Sequence, residues 1–431
     1  MPPEYAVRPW MLVYYSPDTK LEPEKYWEAH GKSTYESHKP QTKVNDEIKK
    51  AAVEAVGSAT EPIRKIESIF DYVRAKIRNY RDDALALTPD QLKQIKENKN
   101  ASDVLKRGMG DWHDINMLFA AMATASGFEV RITNLARRSD IDFRPDFTDD
   151  YFLRTENVAV KLGEEWKFFD PSSYYTPFGM LSWEEEGQPA LISDSKTPIW
   201  SKTPFSAPEK SMEKRSGKFK LLENGTLEGE GRVEFTGHIG ANQKEYNDDD
   251  TPVQREQTLR NFVRSNILGS AEITDFTIEN VTDPDKPFVY TFKIRVPGYA
   301  TRTGKRLFFQ PNVFERSASP AFTAGSRRYD VRINYAWAES DEITIDLPAG
   351  YSLESPDVPA PAGDSQGIAS DKLNIAITKD GKTIIYKRDF YFGKNGFVHF
   401  PVASYQGVKA LFDAFHKVNT HQLTLKQDTA Q

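Results

Sequence analysis

The stretch Ser102–Gly127 reads S-D-V-L-K-R-G-M-G-D-W-H-D-I-N-M-L-F-A-A-M-A-T-A-S-G, and its reading decides the fold. Gly108 and Gly110 close a short helix that Asn100 or Ser102 caps. Asp111 then opens a second, longer helix: an aspartate at the N-cap accepts from free backbone N–H groups, and Asp114 adds an acid in the first turn, where the helix dipole favours it. Ile115, Leu118, Phe119 and Met122 recur at helical spacing and predict a buried face, and Gly127 is the stop. A strand over Phe128–Ala136 follows. After a charged loop, N-V-A-V-K-L (Asn157–Leu162), the turn G-E-E and W-K-F-F-D-P (Trp166–Pro171) form a hairpin.

Upstream, Lys43–Val56 is helical up to Gly57. A second helix is capped by Thr60, with Pro62 in its first turn and Ile63, Ile66, Phe70, Val73 and Ile77 on its apolar face. Residues 1–40 carry Pro, Tyr and Trp with little periodicity. They read as an N-terminal arm, the remnant of a preceding domain, with one strand at Trp10–Tyr15. Residues 171–210 read as an extended wrap and a linker. The domain expectation is therefore 1–40 arm, 41–207 core and wrap, and 208–431 a mainly β domain.

That last region opens with a hairpin turning at Asn224-Gly225. It continues through alternating strands at 273–281, 288–296, 307–309, 328–335, 341–347, 372–378 and 383–392. One helix is inserted at Thr251–Leu268, an amphipathic helix lies at Tyr405–Lys417, and a last strand at 422–426.

Helix, stop, strand and aromatic hairpin in this order resemble the transglutaminase-like superfamily, whose core is papain-like. The family's nucleophile motif G-D-C-x-D appears as Gly110-Asp111-Trp112-His113-Asp114, and its hairpin closes here in Phe169-Asp170-Pro171. The likeness is nearest to bacterial multi-domain proteins in which such a core sits between two β domains; R-R-Y-D-V, D-E-I-T-I-D-L-P-A-G-Y and A-S-Y-Q-G-V-K-A-L-F-D-A-F carry it through the C-terminal half, to about residue 425. The resemblance implies an α+β chain: a helix-plus-antiparallel-sheet core followed by a sandwich-like β domain with one inserted helix. It also implies export, to the periplasm, cell envelope or extracellular space.

The family's acyl transfer needs a thiolate, a histidine to carry its proton and an aspartate to orient that histidine. Trp112 stands at the thiol position, and the chain has no cysteine. The histidine position falls within Thr155–Asn157, read as Asn157, and no histidine lies between His113 and His238. Asp170 alone is kept, and Asp-Pro after a strand is also an ordinary turn. Of the triad positions Trp112, Asn157 and Asp170, two have lost their chemistry. The expectation is a pseudoenzyme serving as a binding or scaffold module for a peptide, protein or envelope ligand.

Trp112, His113, Trp166, Tyr174 and Tyr175 are the candidate ligand-binding residues; Phe168, Phe178 and Trp183 lie near them along the chain. The alternative for these aromatics is core packing. The rival functions are a hydrolase working through His113 and Asp114, and a purely structural envelope protein.

Asp111, His113 and Asp114 do not share one helix face, so no metal is expected there, and no cofactor. Asp248–Asp250 lacks the alternation and glycine of a calcium loop. The net charge of −6, from 57 basic and 63 acidic interspersed residues, excludes the basic face that nucleic acid demands. No run reaches the roughly 18 apolar residues of a membrane span. Residues 1–10 lack the pattern of a signal peptide, so the sequence reads as cytoplasmic or as a fragment that starts after an export signal.

Overall fold

The structure is a computed structural model that describes residues 2–13, 22–81, 87–355 and 357–428. These fall into two compact units, Pro2–Ser206 and Ala207–Gln431.

The first unit is a helical layer on a five-stranded sheet. Its principal helices are α1 (Pro23–His38), α2 (Asp46–Val56), α3 (Pro62–Lys76), α4 (Ala101–Arg107) and α5 (Trp112–Ala125). The strands are β1 (Val130–Leu135), β2 (Thr155–Leu162), β3 (Glu165–Phe169), β4 (Pro189–Ile192) and β5 (Ile199–Lys202), in the antiparallel order β3–β2–β1–β4–β5.

Local chemistry sets the helix ends. Asn45 caps α2 by accepting from Ile48 N–H, and Asn100, rather than Ser102, caps α4. Gly108 ends α4 at φ 64°, a left-handed conformation that glycine adopts without a Cβ penalty. On α5, Asp111 and Asp114 form a reciprocal capping box. On α3 the N-cap is Glu61 rather than Thr60, and Ile63 is exposed.

The buried face of α5 is wider than Ile115, Leu118, Phe119 and Met122. Every residue from Ile115 to Ala123 is buried, because α2, α3 and α4 cover one side and the sheet covers the other. Phe70, Phe119, Val158, Val160 and Phe169 meet in this core, and each large side chain buried contributes about 1.5–3 kcal/mol. The opposite face of the sheet has its own core of Leu135, Ala159, Phe168, Leu181, Ala190 and Ile192.

The structure departs from the sequence reading in three places here. Residues 23–38 are a 16-residue helix, not an arm; the sequence hides it because its buried face is Trp27, Gly31, Thr34 and His38, only one of them a large apolar residue. Gly31 is needed for close approach, since a Cβ there would lie 2.5 Å from Pro198 Cβ. Within 171–210, two segments are strands β4 and β5 rather than wrap and linker. Residues 10–13 are not a strand, and the rest of the expected Trp10–Tyr15 strand lies outside the described residues.

The second unit is built on an eight-stranded sheet. Its strands are β6 (Met212–Leu221), β7 (Leu227–Phe235), β8 (Glu272–Glu279), β9 (Phe288–Val296), β10 (Trp337–Asp346), β11 (Ser370–Ile377), β12 (Thr383–Phe392) and the short Ala362–Gly363, in the order β8–β9–β7–β6–β10–β12–β11–(362–363). The β6–β10 pair is parallel and the others are antiparallel. A four-stranded sheet of Thr301–Thr303, Arg306–Phe309, Leu423–Gln427 and Tyr351–Leu353 shares its core, through Leu307, Phe309, Leu423 and Leu425. This is the expected sandwich-like region.

Two helices are inserted, not one: Gly237–Glu245 precedes Pro252–Ile267. The first is polar with scarcely any amphipathic pattern, so periodicity does not reveal it. The expected strand at 328–335 reduces to Val331–Arg332, paired with His399–Phe400.

Candidate functional site

Three elements converge at the N-terminus of α5. Glu156, on β2, shares the side of the sheet used by Val158 and Val160, and so points toward α5. His113, in the first turn of α5, places Nδ1 2.6 Å from Glu156 Oε2. His38, the last residue of α1, places Nε2 3.2 Å from Glu156 Oε1. The two imidazole rings lie 5.4 Å apart.

Further contacts hold the cluster. His113 Nε2 is 2.7 Å from Gln41 Oε1, and the Gln41 amide nitrogen donates to the Ser37 carbonyl, which fixes the orientation of the amide. Asn134 donates to Glu156 Oε1 at 3.4 Å, and Asn116 ties α5 to the Glu156 backbone carbonyl at 3.0 Å.

The electrostatics follow from burial and pairing. Burial pushes the Glu156 carboxyl up, but the hydrogen bonds and charges of His113 and His38 outweigh it and hold it at about 2. Burial works against a charged His113, yet Glu156, with Asp111 and Asp114, raises its pKa above the usual histidine value. Glu156 is therefore an anion at neutral pH, lying between two imidazoles. Such a cluster can hold a proton, exchange one, or hold a cation.

The three positions that the sequence reading took for a degenerate triad are arranged otherwise. Trp112 is 40 % exposed, and its indole meets His113 edge-on at 5.9 Å. The side chain of Asn157 lies on the other side of the sheet, where its Oδ1 accepts from the Thr133 hydroxyl. Asp170 is buried and accepts from Ser172 Oγ at 2.5 Å and Ser173 Oγ at 2.6 Å, capping its own turn. Neighbouring Thr155 takes the Arg137 guanidinium.

Of the candidate ligand-binding residues, Trp112 and His113 adjoin the cluster. Trp166 packs against the core on the opposite sheet face and lies within 6.0 Å of Arg131 and Lys161. Tyr174 and Tyr175 pack edge-to-face on each other at 5.0 Å, and Tyr175 is buried. Phe178 stacks on Phe169, and Trp183 lies under Arg138. Asp114 is committed to the capping box and to Asn98.

His38, Gln41 and Glu156 were missed by sequence reasoning. The available signal was parity: Glu156 lies two residues before Val158 on an alternating strand, so an acid there faces the core.

Residues 49–171, from α2 through the Asp-Pro turn, match the model of the transglutaminase-like superfamily. This segment is a transglutaminase-like core. Residues 305–425 match a domain of unknown function, DUF3858. A crystal structure of a "putative protease" from Parabacteroides distasonis superposes with a TM-score of 0.50 at 12% identity, over 92% of this chain and 58% of that one. At that identity the likeness is one of fold, and this chain spans little more than half the length of that protein. Among curated proteins none matches the chain. Among the described residues, no helix is long and apolar enough to cross a membrane.

Proposed function

We propose that the chain is a non-catalytic member of the transglutaminase-like group, acting as a binding or scaffold module for a peptide, protein or cell-envelope ligand. One observation carries the reading: the first residue of α5 is Trp112, and the 431 residues contain no cysteine to replace the thiolate. An indole has no nucleophilic atom for acyl transfer. The engagement of Asn157 with Thr133 and of Asp170 with Ser172 and Ser173 supports it, since both side chains are taken up by structural hydrogen bonds. An exported, periplasmic or extracellular setting is proposed on the resemblance alone.

The test is an assay of transamidase, amidase and peptidase turnover by the purified chain, beside its Trp112→Cys variant. Neither is expected to turn over, because a thiol at 112 would still lack the strand histidine, and His38 and His113 are both engaged by Glu156. Turnover by the wild type would refute the reading. Capture of an envelope peptide or protein, lost on replacing Trp112 and His113 together, would identify the ligand.

A second reading, hydrolysis by other chemistry, is favoured by the His38–Glu156–His113 cluster beside the old nucleophile position. It replaces Asp114 with Glu156 as the partner of His113. Esterase or amidase activity lost in Glu156→Gln would support it over the first.

A further inference from the structure

His113 presents both ring nitrogens to acceptor oxygens. Gln41 Oε1 is fixed opposite Nε2, because its amide nitrogen is occupied by the Ser37 carbonyl. The Nε2–H therefore donates to Gln41, and a neutral His113 carries its lone pair on Nδ1, aimed at Glu156 Oε2. A lone pair facing a carboxylate oxygen at 2.6 Å is repulsive unless a proton or a metal ion lies between them. On the other side of the same carboxylate, His38 offers Nε2 to Oε1, and its Nδ1 is buried without a partner.

One ligand atom from each of His38, His113 and Glu156 lies within 4.8 Å of the others. Bonds of about 2.1 Å to a tetrahedral ion set its ligand atoms ~3.4 Å apart. The separation of 3.2 Å between His38 Nε2 and Glu156 Oε1 is already near this value. The contact between His113 and Glu156 needs to open by about 0.8 Å, a movement within reach of a glutamate side chain.

From this geometry we infer that His38, His113 and Glu156 form a site for a first-row divalent metal ion of the zinc type. Two histidines and one carboxylate suit such ions and leave positions open for water or a ligand oxygen. Gln41 holds His113 in the tautomer that ligates through Nδ1, and Asn134 orients the Glu156 carboxylate, as hydrogen-bond partners of metal ligands do. A cation is disfavoured by the N-terminal end of a helix dipole, but Asp111 and Asp114 stand beside this one with Glu156. The three side chains are largely enclosed, with His113 the most open at 26 % exposure. His38 also walls a cavity of about 190 Å³, lined further by Tyr35, Thr124, Arg131 and Ser193. Binding the ion displaces any proton held between His113 and Glu156 into solvent.

The inference is independent of whether the protein turns over a substrate. A loaded protein with hydrolase activity would end the non-catalytic reading and leave the metal site standing; a protein that binds no metal and shows no turnover would do the reverse.

The test strips the full chain with a chelator and titrates it with Zn²⁺ and, for its visible absorption, with Co²⁺. One equivalent is expected to bind, with release of protons and a rise in the unfolding midpoint. His38→Ala, His113→Ala and Glu156→Gln should each weaken binding at least tenfold, and Gln41→Ala by about 10–100-fold. Circular dichroism guards against misfolding, and Glu156→Gln and Gln41→Ala keep the shape of the site. No saturable binding, or binding unchanged in Glu156→Gln and Gln41→Ala, would overturn the inference. So would NMR showing protons on both His113 nitrogens at neutral pH in the presence of excess Zn²⁺.

Discussion

Each unit buries a charged cluster, and the two are built in opposite ways. In the second unit, Arg215 and Arg388 lie on the inner face of the eight-stranded sheet. They meet five carboxyls, of Glu213, Glu315, Glu339, Asp341 and Asp371. Strand register dictates most of this: Asp341 stands opposite Arg215 on β6 and opposite Arg388 on β12. Arg388 grips Asp371 with two bonds, at 2.9 and 3.1 Å. In the first unit a single carboxylate lies between two imidazoles, drawn from three elements rather than from neighbouring strands. Guanidiniums stay charged at any accessible pH, and their fork geometry fits carboxylates, so the first arrangement is locked. Imidazoles change charge near neutrality and bind metals, so the second arrangement is open to chemistry. The lesson is that burial of charge alone does not mark a functional site; the kind of cation paired with it does.

The sharpest way to break this contrast is to remove a locked cation. Arg388→Met leaves Glu339, Asp341 and Asp371 short of a partner in a buried setting. Breaking such a pair costs about 3–5 kcal/mol. The midpoint of thermal unfolding should fall by about 10 °C. A loss below ~1 kcal/mol would show that the network is already neutralised by bound protons. Glu156→Gln should cost less, about 1–3 kcal/mol, because neutral imidazoles tolerate an amide neighbour. Equal costs in chemical denaturation of the two variants would erase the distinction between a locked and an open cluster.

The arginines of the second unit keep their charge, but the acids around them respond to pH. Burial, assisted by Glu339, Glu315 and Asp341 and opposed by Arg215, raises the Glu213 carboxyl to about 7. Burial likewise raises Asp371 to about 6 against the pull of Arg388. The folded chain keeps these protons between the ordinary carboxyl values and about 6–7, where the unfolded chain has released them. Stability conferred by the protonated acids is therefore complete below the unfolded values and is lost as pH rises toward 7. Glu339 runs the other way: burial pushes it up, but Arg388 and Arg215 hold it at about 2, so its contribution is lost only in acid. Unfolding midpoints of the full chain should thus decline from pH 5 to pH 8, and Glu213→Gln should flatten the decline. A slope unchanged in the variant would place the titrating group elsewhere.

How far the sequence displayed these features depends on which residues carry the pattern. Helix α5 and the hairpin after it are legible because Asp111 and Asp114 mark the start and Ile115, Leu118, Phe119 and Met122 keep the period. Helix α1 is illegible to a hydrophobic scan. Its period runs through Trp27, Gly31, Thr34 and His38, with a glycine chosen for close approach and a histidine for the site. Spacing arguments weigh Asp111, His113 and Asp114 along one helix, where the two aspartates form the cap. Such arguments cannot see ligands that arrive from three separate elements, and so His38 and Glu156 escaped. The buried ion network was hidden for a similar reason: its pairing is a matter of strand register, which alternation does not reveal.

The smallest effects sharpen the comparison at the base of α5 itself. Asp111 satisfies the Asp114 N–H and is answered by the Asp114 carboxylate. Asp111→Ala should therefore cost about 1 kcal/mol, the usual loss for an N-cap. Trp112→Ala should cost less still. The indole is 40 % exposed, its ring contact is the edge-on one to His113, and alanine is the better helix former at that position. Chemical denaturation of the two variants gives the order directly. If Trp112→Ala proves costlier than Asp111→Ala, the indole is holding the His113 ring against Glu156, and Trp112 is then part of the cluster's framework rather than a side chain free to meet a ligand.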